Sequence, residues 1–588
     1  MKEAWVKIIM KGIRQYRFSG YSLLLTIILA VITSWVFKWS YAENPVNFMG
    51  GDAEDYYSSL ISTFINKDIT SQTRDVWFLI KTPGGAINQH PLGVAVLLLP
   101  FFGIAYSFAV LLHYPVDGMS LPFQAGVAVA GLTYAAIGLA YLRKLCIRRN
   151  IADHVIALII PLVFFGTNLL NYTLSEAGMS HVYSFCLISV FLYHSERLVT
   201  GPDIRRLFYA AAIMGLIVLV RPNNVFAAML ILIWFGSFTE ARNFFRQLLH
   251  NRNFYFSLLL TASIVFFQSL VWYLQSGQFF HQTYKADGFY WLHPQPLKML
   301  FGFEAGFFIY TPLCLLLLGG LVVIYRQNRF SFGVITGFLL ALFYFFSAYC
   351  SYTFFDGLGI RVLVDYYALF GFLGAKLFNG LVDNRPALAG TVSLAAMLAC
   401  VNLIYCYQAN RGILLRAGMN FNKWKYVFLK TSKDYQDVLG GSNELLPYAK
   451  HHPQSTLGKT AAGVPFEYNG REFGLIVRFD TLGFTSNRVN VKVKCARKEA
   501  YANASREAYV CMSLEDSASV NKFYAQYRLN ETPAVSCCET LHYDYSANLA
   551  ANFRKNDRLS VYVWNRGLGP FTISEFSVNV TNYNYLIN

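Results

Sequence analysis

Apolar runs broken by short polar loops fill the first four hundred or so residues, and a shorter alternation replaces them afterwards. The runs at about 21–37, 123–142, 151–170, 180–196, 206–220, 223–238, 254–274, 308–325, 331–349, 362–379 and 387–407 read as membrane-spanning helices. That predicts eleven spans. The run 92–112 would fit a twelfth by length, but charge argues against a crossing. If it stays on one side, the basic loops Arg143–Arg149, Arg197–Arg206, Arg242–Arg252, Arg326–Arg329 and Lys376–Arg385 all share the cytoplasmic face, as positive-inside topology requires. If it crosses, the loop that begins at Arg143 faces outward. Residues 38–122 are therefore expected outside as one large loop, with 92–112 lying in the interface or dipping in and returning.

The first span follows a basic start (Lys2, Lys7, Lys11, Arg14, Arg17) and has no convincing small-residue cleavage site, so the amino terminus is expected in the cytoplasm. An odd number of spans puts the carboxyl terminus outside. Past about residue 410 a Lys, Asn, Gly and Ser-rich connector reaches to about 460. Period-two runs follow at Phe473–Phe479, Val489–Cys495, Ala508–Leu514, Phe523–Leu529, Leu559–Trp564 and Phe576–Val580. They predict an extracytoplasmic β-sandwich over 461–588, after a transmembrane domain over 1–408 and a connecting segment over 409–460.

Composition agrees with a polytopic α-helical membrane protein: 588 residues are 55% hydrophobic and 17% aromatic but only 14% charged. The formal charge of +16 could suggest a nucleic-acid partner, yet Lys and Arg sit in short loops between apolar runs and report topology instead. There is no Walker loop, GxGxxG after a strand, HExxH, paired CxxC or fixed-period repeat. Of ten Cys, four lie in the carboxyl-terminal domain. Cys495 and Cys511 could pair between neighbouring strands or stay as free buried thiols; adjacent Cys537 and Cys538 cannot easily pair with each other.

Four polar clusters fall on the outer side. The first is Gly50-Gly51-Asp52-Ala53-Glu54-Asp55-Tyr56-Tyr57, where three carboxyls sit beside a membrane surface. Acids suit the first turn of a helix, which accounts for Glu54, but ionisable groups at a bilayer edge are usually functional, which favours a chemical role for Asp52. The second is Asn88-Gln89-His90-Pro91-Leu92-Gly93, where Pro also suits a plain helix start. The third holds His293 and, at the entry to a span, Glu304; its many rings suit an aromatic belt. The fourth runs from Asp356 through Gly357, Gly359 and Arg361 to Asp365. Arg361 could snorkel or pair with Asp365 four residues on, but its glycine-flanked approach suits a guanidinium presented to phosphate. Arg221, in Arg221-Pro222-Asn223-Asn224 at an outward hairpin, is a second candidate cation. A carboxylate with one or two arginines at the outer leaflet describes a reaction on a phosphorylated lipid, the acid accepting a proton and the arginine stabilising the departing phosphate.

This order of features resembles the GT-C class of membrane glycosyltransferases, in the bacterial branch related to protein mannosyltransferases and aminoarabinose transfer. The carriers are Gly51-Asp52 with Tyr56-Tyr57, Asp68, Gln89-His90-Pro91-Leu92-Gly93 through Leu99-Pro100-Phe101-Phe102, Arg221-Pro222-Asn223, Tyr310-Thr311-Pro312 and Gly359-Ile360-Arg361, over roughly residues 15–405. No single motif is specific; their order and shared side carry the resemblance. The strands from Leu559 to Arg566 and Glu575 to Val578 look like the end of a jelly-roll carbohydrate-binding module.

The resemblance implies inverting transfer of a sugar from a polyprenyl-phosphate carrier to an envelope glycan, lipid or protein, at the outer face of a bacterial inner membrane, without a nucleotide sugar. Asp52 would be the base with Asp55 or Glu54 in reserve; Arg361, Arg221 and His90 would bind the donor phosphate. Tyr56, Tyr57, His293, Glu304 and Asp365 would line the substrates. No cofactor is expected, although a divalent ion on the oxygens of Asp52, Glu54 and Asp55 stays open. Two departures stand out. Ala53 follows Asp52 where many relatives carry an Asp-Glu pair, and His90 precedes the Pro where relatives carry Lys or Tyr. A lipid-linked sugar transporter or flippase would need polar groups near the midplane and a repeated architecture. A non-catalytic glycan-binding scaffold would leave Asp52, Arg361 and Glu304 apart.

Overall fold

The computed structural model describes residues 16–35, 48–49, 51–70, 79–281, 283, 288–354, 357–416, 419–435, 439, 453–480, 482, 489–499, 508–529, 540–549 and 555–583. Asp356, Cys537, Cys538 and the basic residues before Tyr16 lie outside them. In chain order the helices that matter here are α1 (Arg17–Ser34), α2 (Asp52–Leu60), α3 (Gly93–Leu111), α4 (Leu121–Arg148), α5 (Asp153–Phe165), α6 (Leu169–Leu174), α7 (Ser180–Thr200) and α8 (Ile204–Val220). They continue with α9 (Phe238–Leu249), α10 (Arg252–Ser276), α11 (Pro296–Phe301), α12 (Phe307–Tyr310), α13 (Pro312–Leu317), α14 (Gly320–Gln327), α15 (Arg329–Ser347), α16 (Tyr367–Gly380) and α17 (Arg385–Asn410). Tight 3-10 turns run over Pro222–Trp234 and Arg361–Tyr366.

Each of the eleven predicted runs contains helix among its described residues, but not each is an unbroken span. Among the described residues six helices are long and apolar enough to cross a membrane: α1, α3, α4, α10, α15 and α17. A seventh results if Pro222–Trp234 and α9, bent by 114°, count as one. The run 308–325 is cut twice. Pro312 cannot supply the backbone N–H that would continue α12. Gly320 starts a new helix where a Cβ would lie 1.9 Å from the Leu373 carbonyl oxygen, so the missing side chain permits a backbone-close crossing.

Helix α3 runs antiparallel to the first half of α4. Tyr134 donates its hydroxyl to the Leu97 carbonyl (2.8 Å), and a Cβ on Gly126 would stand 3.1 Å from that of Ala105. It therefore lies beside the part of α4 farther from Arg143–Arg149.

The basic loops collect at one end of the bundle. There Arg148 pairs with Glu196 (2.5 Å), Arg206 donates to the Arg197 carbonyl (3.0 Å), Asn379 accepts the Ala152 N–H (2.9 Å) and Lys376 reaches Gln327 (3.2 Å). Asp153 caps α1 at the same end by accepting the Phe18 and Ser19 N–H groups at 2.8 and 3.0 Å. From there α7, 21 residues and so about 30 Å long at 1.5 Å per residue, leads back to Ser180 at the opposite end, where the polar clusters gather.

A two-stranded hairpin, β1 (Leu79–Thr82) with β2 (Gly85–Asn88), leads into α3, and the carboxyl-terminal domain is a β-sandwich. One sheet has the order β5 (Phe473–Phe479), β10 (Arg558–Asn565), β7 (Ala508–Glu515), β8 (Asn521–Arg528). The other has β3 (Pro453–Thr460), β11 (Phe571–Tyr583), β6 (Val489–Glu499), β9 (Thr540–Leu549), with β4 (Phe466–Tyr468) also on β11. Every second residue of β10 points inward, so Leu559, Val561 and Val563 meet Val491, Val493, Phe576 and Val578 in a core separate from that of the helices. Strands β3, β4 and β9 were not foreseen, and β3 begins inside the expected connector. The pairing offered for Cys495 and Cys511 is corrected: β6 and β7 belong to opposite sheets, and both cysteines are free buried thiols.

Candidate active site

Gly51 enters α2 at φ 61°, a left-handed turn that glycine adopts without strain. The first turn of α2 then holds three acids, where the helix dipole favours negative charge. Each reaches a different element. Asp52 Oδ2 accepts from Arg361 Nη2 at 2.8 Å, Asp55 Oδ2 lies 3.1 Å from His90 Nδ1, and Glu54 Oε1 accepts from Arg566 Nη1 at 2.5 Å. Asp52 and Asp55, three residues apart, share a face of the helix, while Glu54 points elsewhere. The three carboxylates thus do not form one ligand set. Among the described residues no group of three or more His, Cys, Asp or Glu is disposed to hold a metal ion.

His90 is positioned from α2 itself. Asn88 accepts the His90 N–H (2.7 Å) and donates its amide to the Asp55 carbonyl (2.6 Å) and to Ser58 Oγ (2.9 Å). The Tyr56 ring meets His90 edge-on with centroids 4.8 Å apart, and its hydroxyl hydrogen-bonds Ser180. Tyr57 turns the other way and packs on Phe102 of α3.

Arg361 is delivered by the turn Gly357–Ile360, in which Gly359 has φ 68°. The Leu358 carbonyl of that turn accepts from Asn168 Nδ2 (2.5 Å) and from the Tyr172 hydroxyl (3.4 Å). Asn168 is in turn held by Thr311 (2.7 Å) and Tyr367. Arg221 ends α8 and reaches Ser180 Oγ (3.0 Å) and Asp365 Oδ2 (3.3 Å). Asp365 is fully buried; it also meets His181 Nδ1 at 2.9 Å and accepts from Asn224 at 2.7 Å, with Tyr366 on Asn224 at 3.0 Å. Its carboxylate is taken up inside the protein, where it orients Arg221 and His181.

Burial pushes the Asp52 carboxyl up, but Arg361, His90, His181 and Arg221 outweigh it and hold its pKa below the ordinary carboxylate value. These four groups therefore surround Asp52 closely enough to act on it, with the Arg361 and Arg221 guanidiniums as the fixed positive charges among them. Asp55 goes the other way. Burial raises it to about 6, the nearby Glu54 and Asp52 charges add to the rise, and the His90 contact opposes it.

Two predicted residues stand outside this cluster. His293 is exposed, and its backbone N–H closes a turn onto the Tyr290 carbonyl. Glu304 is exposed and hydrogen-bonds Tyr352. Asp52 and Arg361 meet, and no described contact brings Glu304 to them. Sequence reasoning passed over His181, Ser180, Tyr172, Asn168 and Arg566. A histidine at the head of an apolar run was the one available signal for His181, since ionisable groups in such runs are usually functional; Arg566 carried none.

No family model and no curated protein matches this chain. Solved structures do. The archaeal oligosaccharyltransferase AglB from Archaeoglobus fulgidus, in complex with an inhibitory peptide and a dolichol-phosphate, is 12% identical with a TM-score of 0.40, covering 70% of this chain and 58% of its own. The same enzyme tethered to an acceptor peptide containing the NVT sequon is 11% identical with a TM-score of 0.41, over 70% and 60%. The arabinosyltransferase EmbB from Mycobacterium smegmatis is 12% identical with a TM-score of 0.30, over 84% and 63%. This chain thus spans less than two thirds of each of those chains. Likeness at this level assigns no function, which has to be read from the cluster around Asp52.

Proposed function

We propose that the protein is an inverting membrane glycosyltransferase that moves a sugar from a polyprenyl-phosphate carrier to a hydroxyl-bearing envelope acceptor. The observation that carries this reading is the meeting of Asp52 with Arg361 at 2.8 Å, inside a ring of Arg221, His90 and His181 at the end of the bundle opposite the basic loops. A carboxylate whose pKa is held down by neighbouring guanidiniums is ionised and open to accept a proton. A guanidinium has five N–H donors in a fork, enough to bridge a carboxylate and a phosphate at once.

In the proposed step the acceptor oxygen attacks the anomeric carbon from the face opposite the phosphate while its proton passes to Asp52. The bond from that carbon to the phosphate oxygen breaks, and the electron pair leaves with the phosphate, whose charge Arg361 and Arg221 stabilise. Attack from the opposite face inverts the anomeric centre. This reading takes the site to the outer face of a bacterial inner membrane, with the β-sandwich on the same side; the positive-inside pattern of the basic loops supports the side and the Glu54–Arg566 contact supports the shared side of the sandwich.

The test is transfer by purified protein in nanodiscs, with a panel of polyprenyl-phosphate sugars and envelope acceptors. Asp52→Asn should lower turnover by at least ~100-fold, the scale of a lost general base, with donor binding largely kept. Arg361→Ala should weaken donor binding as well as turnover. Turnover retained in the Asp52 variant rules out its role as base, and donor binding without any transfer by the wild type points to a carrier or a scaffold.

A further inference from the structure

Glu54 and Arg566 lie 512 residues apart in sequence, yet their side chains meet at 2.5 Å with only 8% and 4% of their surface exposed. We propose that Arg566, on the β-sandwich, is a positioning residue that holds helix α2 in the orientation where Asp52 meets Arg361 and Asp55 meets His90. This rests on the reading of Asp52 as the base.

Three features support it. The first is the helix. Even with the π turn Ile61–Ile65 that continues it, α2 is at the length where a helix alone is marginal, and it takes its orientation from what grips it. Its first turn is gripped by three ion pairs from three distant elements: the turn before α3, the 3-10 turn at Arg361, and the sandwich. Two of those pairs lie on the face proposed for chemistry, where a bound donor would compete for them. The Glu54 pair lies off that face, so it can persist while Arg361 engages phosphate.

The second is the mounting of the arginine. Arg566 follows β10 directly, on a turn braced by Asn565, which donates to the Arg471 carbonyl (3.0 Å) and the Gly569 carbonyl (2.8 Å) and whose N–H goes to the Glu472 carbonyl (2.8 Å). The guanidinium also lies 5.8 Å from the Trp564 ring centre. It is a fixed post. The third is burial. A buried carboxylate deprived of its counter-ion either protonates or moves to water, and a move of Glu54 turns α2 and carries Asp52 with it.

Arg566→Ala, Arg566→Lys, Glu54→Gln and the Glu54→Gln/Arg566→Ala double variant, all in the full chain in nanodiscs, test this with two readouts. One is kcat and donor KM with the polyprenyl-phosphate sugar that the wild type uses. The other is amide hydrogen exchange over residues 52–60. Arg566→Ala should lower kcat roughly ten- to hundred-fold, as a misplacement of about an ångström does, with donor KM within about two-fold. Exchange over 52–60 should quicken, Arg566→Lys should recover part of both, and the double variant should be no worse than Arg566→Ala alone. Unchanged kcat with unchanged exchange overturns the proposal, as does an additive double variant. Should the wild type transfer no sugar at all, it is the function that fails, and exchange over 52–60 still decides the clamp. Should Arg566→Ala not fold, Arg566→Lys and Glu54→Gln carry the same comparison.

Discussion

Burial alone would raise both Asp52 and Asp55, yet the two carboxyls, one turn apart on α2, move in opposite directions because their neighbours differ. Asp52 is lowered by Arg361 and the basic groups around it, so it keeps its charge to a lower pH than a free carboxyl does. Asp55, at about 6, titrates within reach of physiological pH. The sign follows from its partner: below that value Asp55 is protonated, the charge that holds His90 is lost, and activity should fall; above it activity should level off. Since folding raises this pKa, ionising Asp55 costs stability as pH rises toward 6, and the cost is complete above it. A kcat/KM profile should therefore show an acid limb near pH 6 in the wild type and none in Asp55→Asn. A limb that survives in Asp55→Asn belongs to another group and removes Asp55 from this role. Asp52, Arg361, Arg221 and His90 could be picked out of the sequence because glycine, proline or acid flanked them at the ends of apolar runs. His181, at the head of such a run, had only its own ionisable ring to mark it and no glycine, proline or acid directly beside it, and the partner of Glu54 could not be found because nothing local links residues 54 and 566.

At the scale of elements, glycine spacing sets how closely α3 approaches α8, and Arg221 ends α8. A Cβ on Gly93 would lie 2.4 Å from the Val220 nitrogen and 2.5 Å from the Leu219 carbonyl, backbone atoms that cannot rotate away. Gly93→Ala should push α3 and α8 apart at the residue before Arg221. The expected outcome is a lower melting temperature and roughly ten- to hundred-fold lower turnover. Gly103→Ala, on the same helix with nothing within 4 Å of its added methyl, should leave both unchanged or raise the melting temperature through helix propensity. Equal effects from the two would mean that the close approach at Val220 does not matter. Elements of this kind were largely legible in the hydrophobic pattern: all eleven runs contain helix among the described residues, and the six predicted strands exist. Their interruptions were less so, because the cut at Gly319–Gly320 is imposed by Leu373 of another helix. Strand β3 escaped because polar residues outnumber apolar ones in it, and β4 because it is three residues long; β9 alternates polar and apolar residues along its whole length and was simply passed over.

At the scale of the whole molecule, helices and sandwich keep separate cores, with the Glu54–Arg566 pair between them. Cores that share little apolar surface unfold separately, so calorimetry in nanodiscs should resolve two transitions, and Gly93→Ala should lower only that of the helical domain. The sandwich should hold without a Cys495–Cys511 bridge, since β6 and β7 lie in opposite sheets and both thiols are free. Burial pushes each thiol up to about 12, so in the folded protein they stay protonated, shielded and slow to react. Iodoacetamide should therefore spare Cys495 and Cys511 in the native chain and label both on unfolding in denaturant without any reductant, as read by peptide mass spectrometry. Labelling that needs a reductant would mean the two are oxidised, and the sandwich would then owe part of its stability to a cross-link instead of to the apolar faces of β6, β10 and β11.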